Sequence, residues 1–139
     1  MMSRLDHVVL WVEDPLRSVE FYQTVVGLEG VRVDEFRAGS APFPSVRVSA
    51  ETILDLMIRT AAPVVDLMAG SDGSAGHPVN HVCLAMSEPE FERLRQRLAD
   101  RGIQTSAVME RSFGAQGFAP RAFYFRDPDG NVLEARYYA

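Results

Sequence analysis

Four side chains in this sequence have types and places that suit metal chemistry. His7 and His81 each stand near the start of a short apolar run. Asp55 and Glu134 each stand inside a later one. Two imidazoles with one or two carboxylates suit a borderline divalent ion such as Zn, Ni, Fe or Mn. A site that fills only three or four positions with protein ligands leaves room for water or substrate, which is the catalytic kind.

The two sets of residues belong to an internal repeat. Residues 6–15 read Asp-His-Val-Val-Leu-Trp-Val-Glu-Asp-Pro, and residues 80–89 read Asn-His-Val-Cys-Leu-Ala-Met-Ser-Glu-Pro. His7 falls on His81, Leu10 on Leu84 and Pro15 on Pro89. Later in each half, Ile53-Leu54-Asp55 lies over Val132-Leu133-Glu134. A lone strand histidine is more often a core residue than a ligand, and Glu134 alone could pair with Arg136 or Arg126. A structural histidine has no reason to recur in both halves beside a matched carboxylate, so the repeat favours His7, His81 and Glu134 as ligands. Asp55 has the right place but is one methylene shorter, and its reach to the metal stays open. His77, beside Pro78, has no counterpart and reads as a surface histidine.

The elements that must position these residues follow from periodicity. After Pro15 comes a helical pattern through Leu16, Val19, Phe21, Tyr22, Val25 and Val26. After Pro89 comes another through Phe91, Leu94, Leu98 and Ala99. Proline suits a helix start, and Gly27 and Gly102 sit where each helix should stop. Strands are expected at 5–12, 30–37, 44–50, 52–59, 79–86, 103–109, 119–126 and 131–138. Asp127-Pro128-Asp129-Gly130 marks the turn before the last one. Alternation puts His81, Cys83 and Ala85 on one face, and Val132, Glu134 and Arg136 on one face. The expected organisation is α+β: two βαβββ modules, at 4–60 and 78–139, forming a curved mixed sheet around the metal. A linker at 61–77 is expected to join them, its Asp-Gly-Ser-Ala-Gly stretch reading as flexible.

The bulk numbers set limits. The chain has 139 residues, is 47% hydrophobic and 24% charged, and carries a net charge of −5. That fits one globular domain. No basic stripe offers a footprint for phosphates, so nucleic acid is not an expected partner. No apolar run is long enough to span a bilayer, and no signal-peptide core stands at the N-terminus. With Cys83 the one cysteine, no internal disulfide can form, and a reducing cytoplasm is the expected compartment.

The motifs resemble those of the vicinal oxygen chelate superfamily, which includes glyoxalase I, fosfomycin thiol transferases, extradiol dioxygenases and bleomycin-binding proteins. The residues that carry the resemblance are Leu5-Asp6-His7-Val8-Val9-Leu10 with Phe21-Tyr22, then Asn80-His81-Val82. The third segment runs from Phe123-Tyr124-Phe125 through Asp127-Pro128-Asp129-Gly130 to Glu134. The likeness covers nearly the whole chain and is closest to the small glyoxalase-domain proteins. It implies a glyoxalase-like fold of paired βαβββ modules. It places metal ligands on His7, His81 and Glu134, and a fourth on Asp55. It also implies chemistry in which the ion binds oxygen atoms of a small-molecule substrate, and a homodimer whose sites draw on both subunits.

Departures from the subfamily patterns narrow the activity. No histidine lies in the stretch 114–120 before Tyr124, which disfavours an Fe(II)-dependent dioxygenase. Val9 stands where one type of fosfomycin thiol transferase has a threonine. The favoured activity is therefore glyoxalase-type isomerase or lyase chemistry on a small oxygenated or thiol-conjugated substrate. Glu134 or Asp55 would act as base, and Tyr124 would be free to bond a substrate oxygen. The competing reading is a metal-independent drug-binding protein, for which Trp11, Phe36, Phe43, Phe113 and Phe118 would supply aromatic surface.

Overall fold

The computed structural model describes residues 5, 7–69, 72–76, 81–114 and 116–139. His77 and the expected start of the fifth strand at 79 lie outside the described residues. The chain divides into two compact units, Met1–Pro78 and Val79–Ala139.

The first unit runs β1 (His7–Val12), α1 (Pro15–Phe21), β2 (Glu29–Val31), α2 (Val33–Arg37), β3 (Ser45–Arg47), β4 (Ile53–Ile58) and α3 (Ala62–Ala69). Its four strands form one mixed sheet in the order β1-β4-β3-β2. β1 is parallel to β4, and the other pairs are antiparallel. Asp14 caps α1 by accepting from the backbone N–H groups of Leu16 and Arg17 at 3.1 and 3.3 Å, with Pro15 next in line. This satisfies donors that a helix start leaves without intrahelical partners. The helix loosens into a π-turn over Tyr22–Val26 and stops at Gly27, whose φ of 89° needs glycine. Val12, Val19, Tyr22, Val46, Leu54 and Leu56 are fully buried.

The second unit repeats the plan: β5 (Val82–Ala85), α4 (Glu88–Asp100), β6 (Met109–Gly114), β7 (Gly117–Arg126) and β8 (Val132–Tyr137). Its sheet order is β5-β8-β7-β6, again with one parallel pair. Ser87 caps α4, Glu88 and Glu90 lie in its first turn and Arg97 in its last. That charge order suits the helix dipole. Phe91, Leu94 and Leu98 are fully buried, as the helical spacing requires. The turn before β8 is built on Asp127. Its carboxylate accepts from the backbone of Asp129 and Asn131, both at 2.9 Å, and from the Asn131 side chain at 2.8 Å.

Three expectations need correction. The strand expected at 30–37 ends at Val31. Arg32 adopts a left-handed φ of 56° and starts α2, whose first turn holds Asp34 and Glu35. The strand expected at 103–109 begins only at Met109. Upstream of it, Thr105 makes an isolated bridge to Phe125, and the continuous pairing with β7 starts at Met109 opposite Ala122. The segment read as a linker also carries secondary structure: α3, flanked by 3₁₀ turns at Arg59–Ala61 and Ser74–Gly76. It is pinned through buried Asp66, which accepts from the backbone N–H and the hydroxyl of Ser74. The indole Nε1 of Trp11 in turn donates to Ser74 Oγ at 3.0 Å.

Candidate metal centre

In the second unit the candidate residues come from three neighbouring strands. Glu134 sits mid-way along β8. Its partner across the parallel pair is Cys83, and across the antiparallel pair it is Tyr124. Arg136 lies two residues on, on the same face of β8. His81 immediately precedes β5 and brings Nε2 to 3.6 Å from Glu134 Oε1. Its ring meets the edge of Tyr124, with centroids 5.2 Å apart and planes at 78°.

Glu134 is 2% exposed and Arg136 5%. A buried carboxylate must be paired, and the guanidinium supplies the partner. Arg136 Nε donates to Glu134 Oε2 at 2.9 Å, and Nη2 donates to the same oxygen. Cys83 Sγ also approaches Oε2, at 3.4 Å. Burial pushes the Glu134 carboxyl up, but its hydrogen bonds from Arg136, Tyr124 and Cys83 outweigh this and hold it below the usual carboxylate range. The same surroundings act on the neighbours. Burial and then the charge of Glu134 push the Cys83 thiol up to about 11. Burial and the bond to Glu134 raise the Tyr124 hydroxyl.

The first unit has the same frame with different side chains. Asp55 pairs with Val9 across the parallel strands and with Ser45 across the antiparallel ones. Val9 and Ser45 therefore stand where Cys83 and Tyr124 do, and Met57 stands where Arg136 does. Asp55 is buried, and Ser45 Oγ donates to its Oδ1 at 2.6 Å. His7 is exposed at the start of β1.

His81 and Glu134 are thus brought together in one unit, while His7 and Asp55 belong to the other. Among the described residues no three His, Cys, Asp or Glu side chains are gathered into a metal cluster. The pair nevertheless fits a divalent ion. Two ligand atoms each about 2.0–2.2 Å from an ion stand roughly 3–3.6 Å apart, which matches His81 Nε2 and Glu134 Oε1. Tyr124, expected to bond a substrate oxygen, lies directly opposite Glu134 across the antiparallel pair. The bond from Ser45 to Asp55 is not evident from residue types alone. Cross-strand register, rather than residue type, would have found Ser45. Of the aromatic residues that might bind a drug, Trp11 is buried and Phe118 is 55% exposed.

The whole-chain pattern decides the family: residues 4–135 match the model of the glyoxalase/bleomycin resistance protein/dioxygenase superfamily. The chain belongs to this superfamily. No curated protein sequence matches it. Among solved structures, it is similar to a virulence protein from Salmonella typhimurium at 24% identity and a TM-score of 0.71, covering 100% of this chain and 99% of that one. A genomically encoded fosfomycin resistance protein from Listeria monocytogenes aligns at 19% identity and 0.64, over 100% and 96% of the two chains. A lactoylglutathione lyase from Agrobacterium tumefaciens aligns at 19% and 0.63, over 98% and 94%. At such identities the likeness establishes the α+β glyoxalase-like fold. Among the described residues, no helix is long and apolar enough to cross a membrane.

Proposed function

We propose that this superfamily member is a metal-dependent enzyme of the glyoxalase type, an isomerase or lyase, acting in the cytoplasm on a small oxygenated or thiol-conjugated substrate. His7, His81 and Glu134 would hold one divalent ion, with Asp55 as the fourth ligand. The observation that carries this reading is the 3.6 Å separation of His81 Nε2 from Glu134 Oε1, with the carboxylate already ionised by its surroundings. The ion, when bound, would supply a Lewis acid that polarises substrate oxygens.

The residues divide the remaining work. Tyr124 orients the site, with its ring edge on His81 and its backbone paired opposite Glu134. Arg136 holds Glu134 in its ionised form, which suits a metal ligand. Glu134 or Asp55, which accepts from Ser45 Oγ, would move a proton between carbons. The aromatic residues offer less support to drug sequestration, because Trp11 is buried and bonded to Ser74. A homodimer with sites shared between subunits is part of this proposal.

Metal analysis of the purified protein tests it. The unaltered chain should carry about one divalent ion, and His7→Ala and His81→Ala should each lose it. Unchanged metal content in both variants would show that the ligands are wrongly assigned.

A further inference from the structure

Arg136 is the most completely bonded charged group on the sheet face that carries Glu134. A guanidinium has five N–H donors and no acceptor. Nε and one Nη2 hydrogen go to Glu134 Oε2. The second Nη2 hydrogen goes to Ser112 Oγ at 3.0 Å. Nη1 reaches the Ser112 carbonyl at 3.2 Å and the Tyr138 hydroxyl at 3.4 Å. The Tyr138 ring also lies 6.0 Å from the guanidinium carbon. Such a group cannot rotate without breaking bonds in a buried place, so it is a fixed point against which Glu134 is held.

The two oxygens of Glu134 are consequently unlike. Oε2 accepts two N–H groups of Arg136 and faces the thiol of Cys83, whereas Oε1 is the oxygen turned to His81. We infer that Arg136 is a positioning residue that takes Oε2 out of coordination and commits Glu134 to the metal through Oε1 alone. The inference rests on the metal reading above and adds how the ligand is presented. The guanidinium also offsets the carboxylate charge, so this pair and a neutral His81 together bring no net charge to the ion. The clamp is confined to the second half of the repeat, because Met57 occupies the equivalent place in the first.

The test exploits the single oxygen of glutamine. In Glu134→Gln, Arg136 captures that oxygen and leaves the amide NH₂ facing His81, where it cannot bind a metal. Removing the guanidinium as well frees the amide to turn its oxygen outward. Co²⁺ alone is titrated by calorimetry into metal-stripped full-length protein. The set comprises the unaltered chain, Glu134→Gln, and Glu134→Gln combined with either Arg136→Met or Arg136→Gln, with circular dichroism to identify the folded forms. Two replacements at 136 are used so that one folded double variant suffices. The expected result is a loss of at least 100-fold in affinity for Glu134→Gln and a recovery of at least tenfold in the double variant. A purely structural Arg136 would make the double variant bind no better than Glu134→Gln, and that result overturns the inference. Undiminished affinity in Glu134→Gln overturns it too. If the unaltered chain binds no Co²⁺, the metal reading itself falls and takes the inference with it.

Discussion

Cys83 stands directly opposite Glu134 across the parallel pair of β5 and β8, with its sulfur 3.4 Å from the carboxylate oxygen Oε2. The contact makes the thiol a poor nucleophile. Although Cys83 is exposed, partial desolvation at its sulfur and the facing negative charge both favour the protonated form and bring its pKa to about 11. In metal-free protein, alkylation by iodoacetamide should therefore be slow at pH 8 and keep rising with pH well beyond the range near 8.5 where an ordinary cysteine levels off. Glu134→Gln should move the curve to lower pH. A rate profile that levels off near pH 8.5 would contradict the assignment.

The buried pair of Glu134 and Arg136 has a defined energetic signature. Removing one partner leaves an uncompensated buried charge, which costs about 3–5 kcal/mol. Arg136→Met should lower the urea stability of the metal-free protein by about that amount. Adding Glu134→Gln should restore part of it, because the stranded charge is gone. A cost for Arg136→Met below about 1 kcal/mol would mean that the pair is solvated like a surface one.

The hold of α4 on the second sheet centres on Phe91. It is fully buried, with its ring 5.1 Å from that of Phe123 and 5.0 Å from that of Tyr137, both edge-on. Arg121 adds a cation–π contact to Phe91 at 5.2 Å and a 2.9 Å hydrogen bond to Tyr137. Phe91→Ala should cost about 3–5 kcal/mol. Arg121→Ala, whose side chain is partly exposed, should cost far less. Paired denaturation curves check the order, and an equal loss in both would place the hold in the guanidinium instead.

The proposed sharing of sites between subunits makes a complementation experiment decisive. His7→Ala and Glu134→Ala should each fail to bind metal. After subunit exchange, a mixed dimer with shared sites would contain one site with all native ligands and one with both altered, so part of the metal binding should return. Sites within one chain would give no recovery in any mixture once exchange is verified by mass.

Much of the site's frame was legible because the repeat carries its register. Asp55 and Glu134 do take matched positions between flanking strands, opposite Val9 and Ser45 in one half and Cys83 and Tyr124 in the other. Proline at the helix starts and glycine at Gly27 and Gly102 marked both helices. Alternation along β8 placed Arg136 on the face of Glu134. What it could not show was burial, which depends on Ser112 arriving from β6 to satisfy the guanidinium. The failure at 30–37 has a local cause. Val31 and Val33 alternate as in a strand, but Arg32 takes a left-handed backbone that residue type gives little reason to expect.

The sole tryptophan lies where it can act as an optical gauge. Trp11 is 8% exposed, and its indole N–H is bonded to Ser74, which the connecting segment holds in place through Asp66. Indole emission moves to longer wavelength as water reaches the ring. Detachment of the segment around Ser74 would therefore register as a red shift, separable in time or denaturant concentration from loss of the sheets followed by circular dichroism. Asp66→Ala should produce the shift without denaturant. The protein thus carries a built-in fluorophore for the step at which the segment around Ser74 leaves the first unit.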